Sequence, residues 1–389
     1  MIVPPATLGL LGGGQLGRYF VLAARRSGYA VMVMDPDPRS PAGAVADWHR
    51  VAAFDDHAAL DQLADACAVV TAEFENIPAE SLERVAARGC LRPGVRALTI
   101  AQDRLEEKRF LGEAGIAVAP WRPVLAGRDP QPPATGAGEP RFPAVLKTAR
   151  LGYDGKGQAR LEDPDHLAAA HAGLGGVDCV LEEQVELARE VSVIVARAPD
   201  GRSEVCPVAE NHHRHGILHL TRVPARLSAP LEQQARDVAL RVADHLDYCG
   251  VLAVEFFVTA GGELLVNEIA PRPHNSGHYT LDACSVSQFE QQLRAVCGLA
   301  LAPARATAPV AMVNLLGDLW PAATAPDWTG VLGESRARLH LYGKAEACPG
   351  RKMGHVNVVG LPGEDDADAD AVADVAESLW RGLAGEPSQ

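Results

Sequence analysis

The chain has 389 residues, 47% hydrophobic and 22% charged, with a formal net charge of −14. This length predicts two or three domains, and the composition argues against collagen, disorder and a coiled coil. The acidity argues against a general nucleic-acid binder, whose phosphate contacts need Lys and Arg, and no 18-residue apolar run offers a membrane span. The eight cysteines form no CxxC pair, so reduced thiols are expected rather than a zinc site or a disulfide scaffold. No Lys or Arg precedes Arg18, and a glycine-rich turn follows the first apolar run. That pattern differs from a signal peptide, and a cytoplasmic protein is the default expectation.

Residues 8–11 read as a strand, followed by Gly12, Gly14 and Gly17 in a GxGxxG spacing, a helix over 18–27 and a second strand over 29–34 ending at Asp35. Strand, turn, helix and strand make a βαβ unit. The spacing matches the dinucleotide fingerprint, but it also suits a tight strand-to-helix turn without a dinucleotide. A phosphate or another polar metabolite group is the better-supported ligand here, since a helix start offers backbone N–H groups to an anion. A later strand over 67–71 precedes Glu73, Glu75 and Asn76. Binding groups often sit at such carboxyl-terminal strand edges.

A charged helix starts after Asp103, a plausible cap. Residues 127–143 are rich in Gly and Pro and predict a loop. The apolar strand over 142–148 carries Lys147, and the run Gly152, Tyr153, Asp154, Gly155, Lys156, Gly157 and Gln158 follows. Three glycines let a backbone fold over phosphates, and the two lysines supply charge. No Walker A motif is present. A helix over 163–174, strands over 179–183 and 191–198, and a helix over 231–246 come next. The polar run from Asn211 to His215 predicts a loop that brings one histidine near nucleotide or substrate, without zinc spacing.

Strands over 251–258 and 263–269 frame the turn Thr259-Ala-Gly-Gly262, a strong hairpin signal. If Val258 pairs with Glu263, Glu255 and Glu268 become diagonal neighbours on one face, roughly 7–8 Å apart. Two carboxylates on an apolar hairpin repel and lose hydration, and Mg²⁺ between them removes that conflict. The polar cluster from Asn267 to His278 includes Arg272, His274, Asn275 and Ser276. Its planar guanidinium suits a phosphate or carboxylate. A second basic group, Arg351 and Lys352, lies in a third region that starts near 305 and ends in an acidic loop over 362–370 and a final helix.

These motifs resemble the ATP-grasp superfamily and, within it, the branch that carboxylates an aminoimidazole ribonucleotide. The resemblance rests on Gly12–Arg18, Asp103 to Lys108, Gly152–Gln158, Glu190-Val-Ser192, Asn267–His278 and Gly350–His355. It implies an ATP-grasp fold of the α/β (α+β grasp) class, with an N-terminal pre-grasp α/β domain over 1–102, an ATP-grasp domain over 103–302 and a small C-terminal domain over 303–389. It implies ATP contacts from Arg104, Lys147, the 152–158 loop, Glu182, Glu183, Gln184, Val185, Glu190, His213, Asn267 and Glu268, and Mg²⁺ on Glu255 and Glu268. A third ligand, often Asn two residues on, is replaced by Ala270. Bicarbonate or carboxyphosphate is expected near Tyr153, Arg272, His274 and Lys352. The ribonucleotide is expected near Gln15, Glu73, Asn76, Asn275, Ser276 and Arg351. A homodimer is implied, and the alternative reaction is formate ligation to glycinamide ribonucleotide.

Overall fold

The computed structural model describes residues 1–131, 133, 138–152, 155–320, 324–361 and 368–385. Strands β1 (Thr7–Leu11), β2 (Ala30–Asp35), β3 (Trp48–Val51) and β4 (Val69–Ala72) form a parallel sheet ordered β3-β2-β1-β4. Helices α1 (Gln15–Arg26), α2 (His57–Ala66) and α3 (Ala79–Arg88) cover it. Leu60 and Leu63 of α2 and Leu82 and Val85 of α3 pack on one face. Phe20, Val21 and Ala24 of α1 pack on the other, together with Leu293 and Val296. Burial on both faces explains why the central strands read as continuous apolar runs.

Two helices, α4 (Val95–Ala101) and α5 (Arg104–Glu113), lead out of this unit. Asp103 caps α5 by accepting the Leu105 N–H at 2.9 Å, as its residue type predicts. A small antiparallel sheet follows, ordered β5-β8-β6-β7. It contains β5 (Trp121–Val124), β6 (Ala144–Thr148), β7 (Gln158–Leu161) and β8 (Cys179–Glu183). Helix α6 (Leu167–Gly173) buries Leu167 against Leu146, Leu161 and Leu181.

The large sheet holds β9 (Leu187–Arg197), β10 (Ser203–Val205), β11 (Ala209–Arg214), β12 (Ile217–Val223), β13 (Gly250–Thr259), β14 (Leu264–Ala270), β15 (Val310–Leu316), β16 (Ala337–Leu341) and β17 (Lys352–Val359). Its order is β14-β13-β9-β11-β12-β15-β17-β16, with β10 on β9. Helix α7 (Ala229–His245) packs Ala235, Ala239 and Val242 on its central strands. The short helices α8 (Thr280–Ala283), α9 (Gln288–Val296) and α10 (Thr329–Gly333) precede α11 (Ala369–Ala384). Val372 and Ala376 of α11 close a separate core over β15 and β17. Because β12 pairs with β15, the region after residue 303 extends the central sheet while keeping its own core.

Two local expectations are corrected. The run expected as a loop at Asn211 is strand β11, paired with both β9 and β12. Backbone pairing on both sides outweighs the polar composition, and the side chains find partners on the two faces. Asn211 bonds Ser192, while Arg214 stacks on Trp380 of α11. The hairpin register also differs. Val258 pairs with Leu264, and a bulge beside Glu255 sets Glu255 directly opposite Glu268. A bulge of this kind re-aims side chains. Here it turns expected diagonal neighbours into facing ones.

All eight cysteines are free. No helix among the described residues is long and apolar enough to cross a membrane.

Candidate active site

A cavity of about 580 Å³ lies where the parallel unit, the small sheet and the large sheet meet. The glycine run after β6 borders it. A Cβ at Gly155 would stand 3.1 Å from the His215 carbonyl oxygen, and Gly155 has φ +76°. Glycine thus permits this loop to lie against the β11–β12 turn.

On the small-sheet side, Lys147 Nζ donates to Glu182 Oε2 at 2.5 Å. Lys108 Nζ, almost completely buried, lies 3.0 Å from Glu182 Oε1 and donates to the Asn267 carbonyl at 3.1 Å. Burial alone would raise the Glu182 carboxyl, but the two lysines outweigh it and hold it well below the carboxylate range. Arg104 Nη1 donates to Glu268 Oε2 at 2.9 Å, and its Nη2 donates to the Gly152 carbonyl at 3.3 Å. One turn of α5 therefore carries Arg104 and Lys108 toward the same cavity wall, the expected result of an i,i+4 spacing.

The hairpin contributes the opposed carboxylates. Burial pushes Glu255 up, and the charge of Glu268 adds to this. For Glu268 burial acts in the same direction, but Arg104 overrides it and keeps the carboxylate ionised. His274 Nε2 lies 3.1 Å from Glu255 Oε1. Beside the pair, Asn267 Oδ1 is buried without a hydrogen-bond partner among the described residues. Two carboxylates and an unsatisfied amide oxygen make a hard donor set that fits Mg²⁺. Farther along, His213 Nδ1 lies 2.5 Å from Glu190 Oε2. Burial would lower the His213 pKa, but Glu190 raises it.

The parallel unit supplies the third wall. Glu73 accepts the N–H groups of Gly14 and Gly17, the second at 2.7 Å, and Asp35 accepts that of Gly13 at 2.7 Å. The first glycine turn therefore directs these N–H groups, anticipated as donors to a metabolite phosphate, at the protein's own carboxylates. Gly12, at φ +98°, brings the backbone so close that a Cβ would meet Glu73 Cγ at 2.5 Å. Next in sequence, Glu75 Oε2 accepts from Arg272 Nε at 2.7 Å. Gln102 Nε2 donates to the carbonyls of Glu75 and Ile77 at 2.6 and 2.7 Å. Those bonds anchor the 73–77 segment over the cavity.

Most residues singled out from the sequence line this cavity. They include Arg104, Lys147, Gly152, Gly155, Gln158, Glu182 through Val185, Glu190 and His213. Gln15, Glu73, Asn76, Glu255, Asn267, Glu268, Arg272, His274, Asn275 and Lys352 complete the set. Asn275 leaves both amide atoms buried and unpartnered among the described residues, so it suits a bound ligand. Lys156, Gly157, Ser276 and Arg351 are off the wall. The Arg351 guanidinium donates to the Glu346 carbonyl at 3.0 Å. The Ser276 hydroxyl is buried between Ser192 and His274, so a direct side-chain contact with substrate is corrected to an indirect role. Tyr153 and Asp154 lie outside the described residues.

Glu75, Gln102, Glu107 and Lys108, all at or beside the cavity, carry no individual role in the sequence pattern. Arg104 and Lys108 share a helical face, and that spacing was the available signal. Burial pushes Glu107 up to about 7 despite nearby Lys108 and Arg104. Its Oε1 accepts the Ile269 N–H at 2.5 Å, tying α5 to the hairpin.

Three family models match the chain in succession. They are a ribonucleotide synthetase preATP-grasp domain over residues 5–102, an ATP-grasp domain over 109–289 and a phosphoribosylaminoimidazole carboxylase C-terminal domain over 310–369. The chain is 46% identical to an N5-carboxyaminoimidazole ribonucleotide synthase of Brucella melitensis, over 91% of this chain and 96% of that protein. A solved N5-carboxyaminoimidazole ribonucleotide synthetase in complex with ADP superposes with TM-score 0.89 and 42% identity, covering 98% of this chain and 99% of that one. The Aspergillus clavatus N5-carboxyaminoimidazole synthase with ADP and 5-aminoimidazole ribonucleotide gives TM-score 0.84 at 31% identity, covering 97% of each.

Proposed function

The chain belongs to the N5-carboxyaminoimidazole ribonucleotide synthase family of ATP-grasp enzymes, and on that premise we propose that it carboxylates 5-aminoimidazole ribonucleotide with ATP and bicarbonate. The products are the N5-carboxyamino nucleotide, ADP and phosphate, and the reaction serves purine biosynthesis. The relatives' names speak for this reaction and against formate ligation to glycinamide ribonucleotide. The carrying observation is one cavity that gathers Lys147, Arg104, two opposed carboxylates and the Arg272–Asn275 loop.

A bicarbonate oxygen attacks the γ-phosphorus of ATP, the β–γ bridging bond breaks, and ADP leaves. The exocyclic amine then attacks the carbon of carboxyphosphate, or of CO₂ derived from it, and phosphate is released. Lys147 and Arg104 are suited to neutralise charge on the transferring phosphoryl oxygens. Both currently bond carboxylates, so ATP phosphates compete for these cations. Glu255 and Glu268 would hold Mg²⁺, with Asn267 beside them. Mg²⁺ would supply Lewis-acid stabilisation of phosphoryl charge.

Glu182 through Val185 line the cavity where β8 ends, the proposed place of the adenine, and Glu190 suits its ribose. His213, the 152–158 loop and the Lys156 charge belong to the same nucleotide half. Arg272 offers a planar fork to bicarbonate or carboxyphosphate, and His274, Lys352 and Tyr153 are proposed to act on the same group. Gln15, Glu73, Asn76, Asn275 and Arg351 form the ribonucleotide half of the proposal. A cytoplasmic homodimer completes it.

The test is ADP release by the purified chain with Mg²⁺, bicarbonate and each acceptor in turn. Release is expected only with 5-aminoimidazole ribonucleotide. Silence with that acceptor, together with turnover of formate and glycinamide ribonucleotide, overturns the reading.

A further inference from the structure

A row of buried polar side chains crosses the central sheet on the face that carries Glu255. Thr221 on β12 pairs with Asn211 on β11, Ser192 on β9 pairs with Glu255 on β13, and Glu255 pairs with Glu268 on β14. Thr221 and Ser192 are fully buried, and Asn211 nearly so. Unpaired polar groups in such a core would be costly, yet these are linked. Thr221 Oγ1 donates to Asn211 Oδ1 at 2.9 Å. Asn211 Nδ2 donates to Ser192 Oγ at 2.9 Å, and Ser192 Oγ donates to Ser276 Oγ at 2.7 Å.

The chain ends on a histidine. Ser276 Oγ lies 2.9 Å from His274 Nδ1 and, having accepted from Ser192, has its own proton to give. The Ser276 backbone N–H also points at Nδ1, at 3.3 Å. A backbone N–H cannot accept, so this longer contact also favours a lone pair on Nδ1. The ring proton then sits on Nε2, 3.1 Å from Glu255 Oε1. Gln288 pins the backbone on either side of the ring, accepting the His274 N–H at 2.8 Å and donating to its carbonyl at 2.7 Å.

We propose that Thr221, Asn211, Ser192 and Ser276 are positioning residues that lock His274 in its Nε2–H tautomer, aimed at Glu255. His274 then acts as a hydrogen-bond donor that orients this carboxylate, leaving its other oxygen for a ligand, rather than as a proton acceptor. Buried partners that fix ring tautomers and carboxylate orientation behind a metal commonly matter 10–100-fold, to order of magnitude. The consequence for catalysis rests on the proposed role of Glu255; the tautomer does not.

The experiment is nitrogen NMR of the full-length protein labelled with ¹⁵N-histidine, with His274 assigned by its loss in His274→Gln. Protonated Nε2 and bare Nδ1 are expected in the wild type without ligand. A protonated Nδ1, or an average of the two tautomers, overturns the proposal. Asn211→Asp supplies only acceptors and reverses the direction of the row. The variant is expected to lose the Nε2–H pattern and about tenfold in kcat, with KM for ATP within about twofold. A folded Asn211→Asp protein with unchanged His274 signals also overturns the proposal. Thr221→Ser, which keeps the hydroxyl, is expected to retain both the spectrum and the rate. A wild type with the Nε2–H pattern but no carboxylation would sink the proposed function and leave this inference standing.

Discussion

The first glycine turn and the central hairpin both bring carboxylates to the same cavity, and they resolve the charge in different ways. At the turn, Glu73 and Asp35 take the N–H groups of Gly13, Gly14 and Gly17. Those donors belong to the start of α1, so the acids complete a helix terminus. At the hairpin, Glu255 and Glu268 face each other, with one histidine and one arginine against them. The first arrangement is closed on itself. The second keeps a residual conflict of like charges that a cation would relieve. In this chain the N–H groups of the glycine fingerprint are met by the protein's own acids.

The sharpest way to break this contrast is Glu268→Gln. It is expected to lower bicarbonate-dependent ADP release by roughly 10²–10³, with a circular dichroism spectrum like the wild type's. Near-normal turnover would remove the hairpin from the chemistry. At the other region, Glu73→Ala should cost stability, about 1–3 kcal/mol for buried N–H groups left without their acceptor, read from the urea midpoint. An unchanged midpoint would remove Glu73 as a cap and leave only its proposed contact with the ribonucleotide, read as a raised KM.

The smallest effects concern pH. Glu107 is pushed up to about 7 by burial. Its folded value exceeds its unfolded one, so its contribution is complete below about 4.5 and is lost as pH rises through about 7. Glu107→Gln should therefore gain roughly 2 kcal/mol relative to wild type between pH 5 and pH 8. Glu182 has the opposite sign, since Lys108 and Lys147 overcome its burial and depress it. Its contribution is complete above about 4.5 and is lost as pH falls through the depressed value. Glu182→Gln should flatten the acid limb of the stability curve. Urea midpoints across pH 2 to 8 check both variants, and parallel curves for all three proteins would show that neither acid titrates on folding.

Much of the site could be read locally. Lys147 stands at the end of an apolar strand, the glycines of the 152–158 loop stand close together, and the cluster after Asn267 is dense in donors. These signals lie within a few residues, where period and turn chemistry act. Lys108 was harder to read, because a lysine in a charged helix usually faces water; here its partner Glu182 comes from a strand 74 positions later. The strand at Asn211 was hidden for a similar reason. Its polar side chains are satisfied by Ser192, Thr221, Glu190 and α11, none of which a local window contains.

By itself, the sequence determined the βαβ start, the Glu255–Glu268 hairpin, the ATP-grasp resemblance and the residue types of the cavity. Tertiary structure alone decided that Glu73 closes the first glycine turn, that a bulge sets the two hairpin carboxylates face to face, and that a polar row ends on His274. Strand alternation and turn chemistry depend on neighbours along the chain. Register and charge pairing depend on which distant segments the fold brings within a few ångströms.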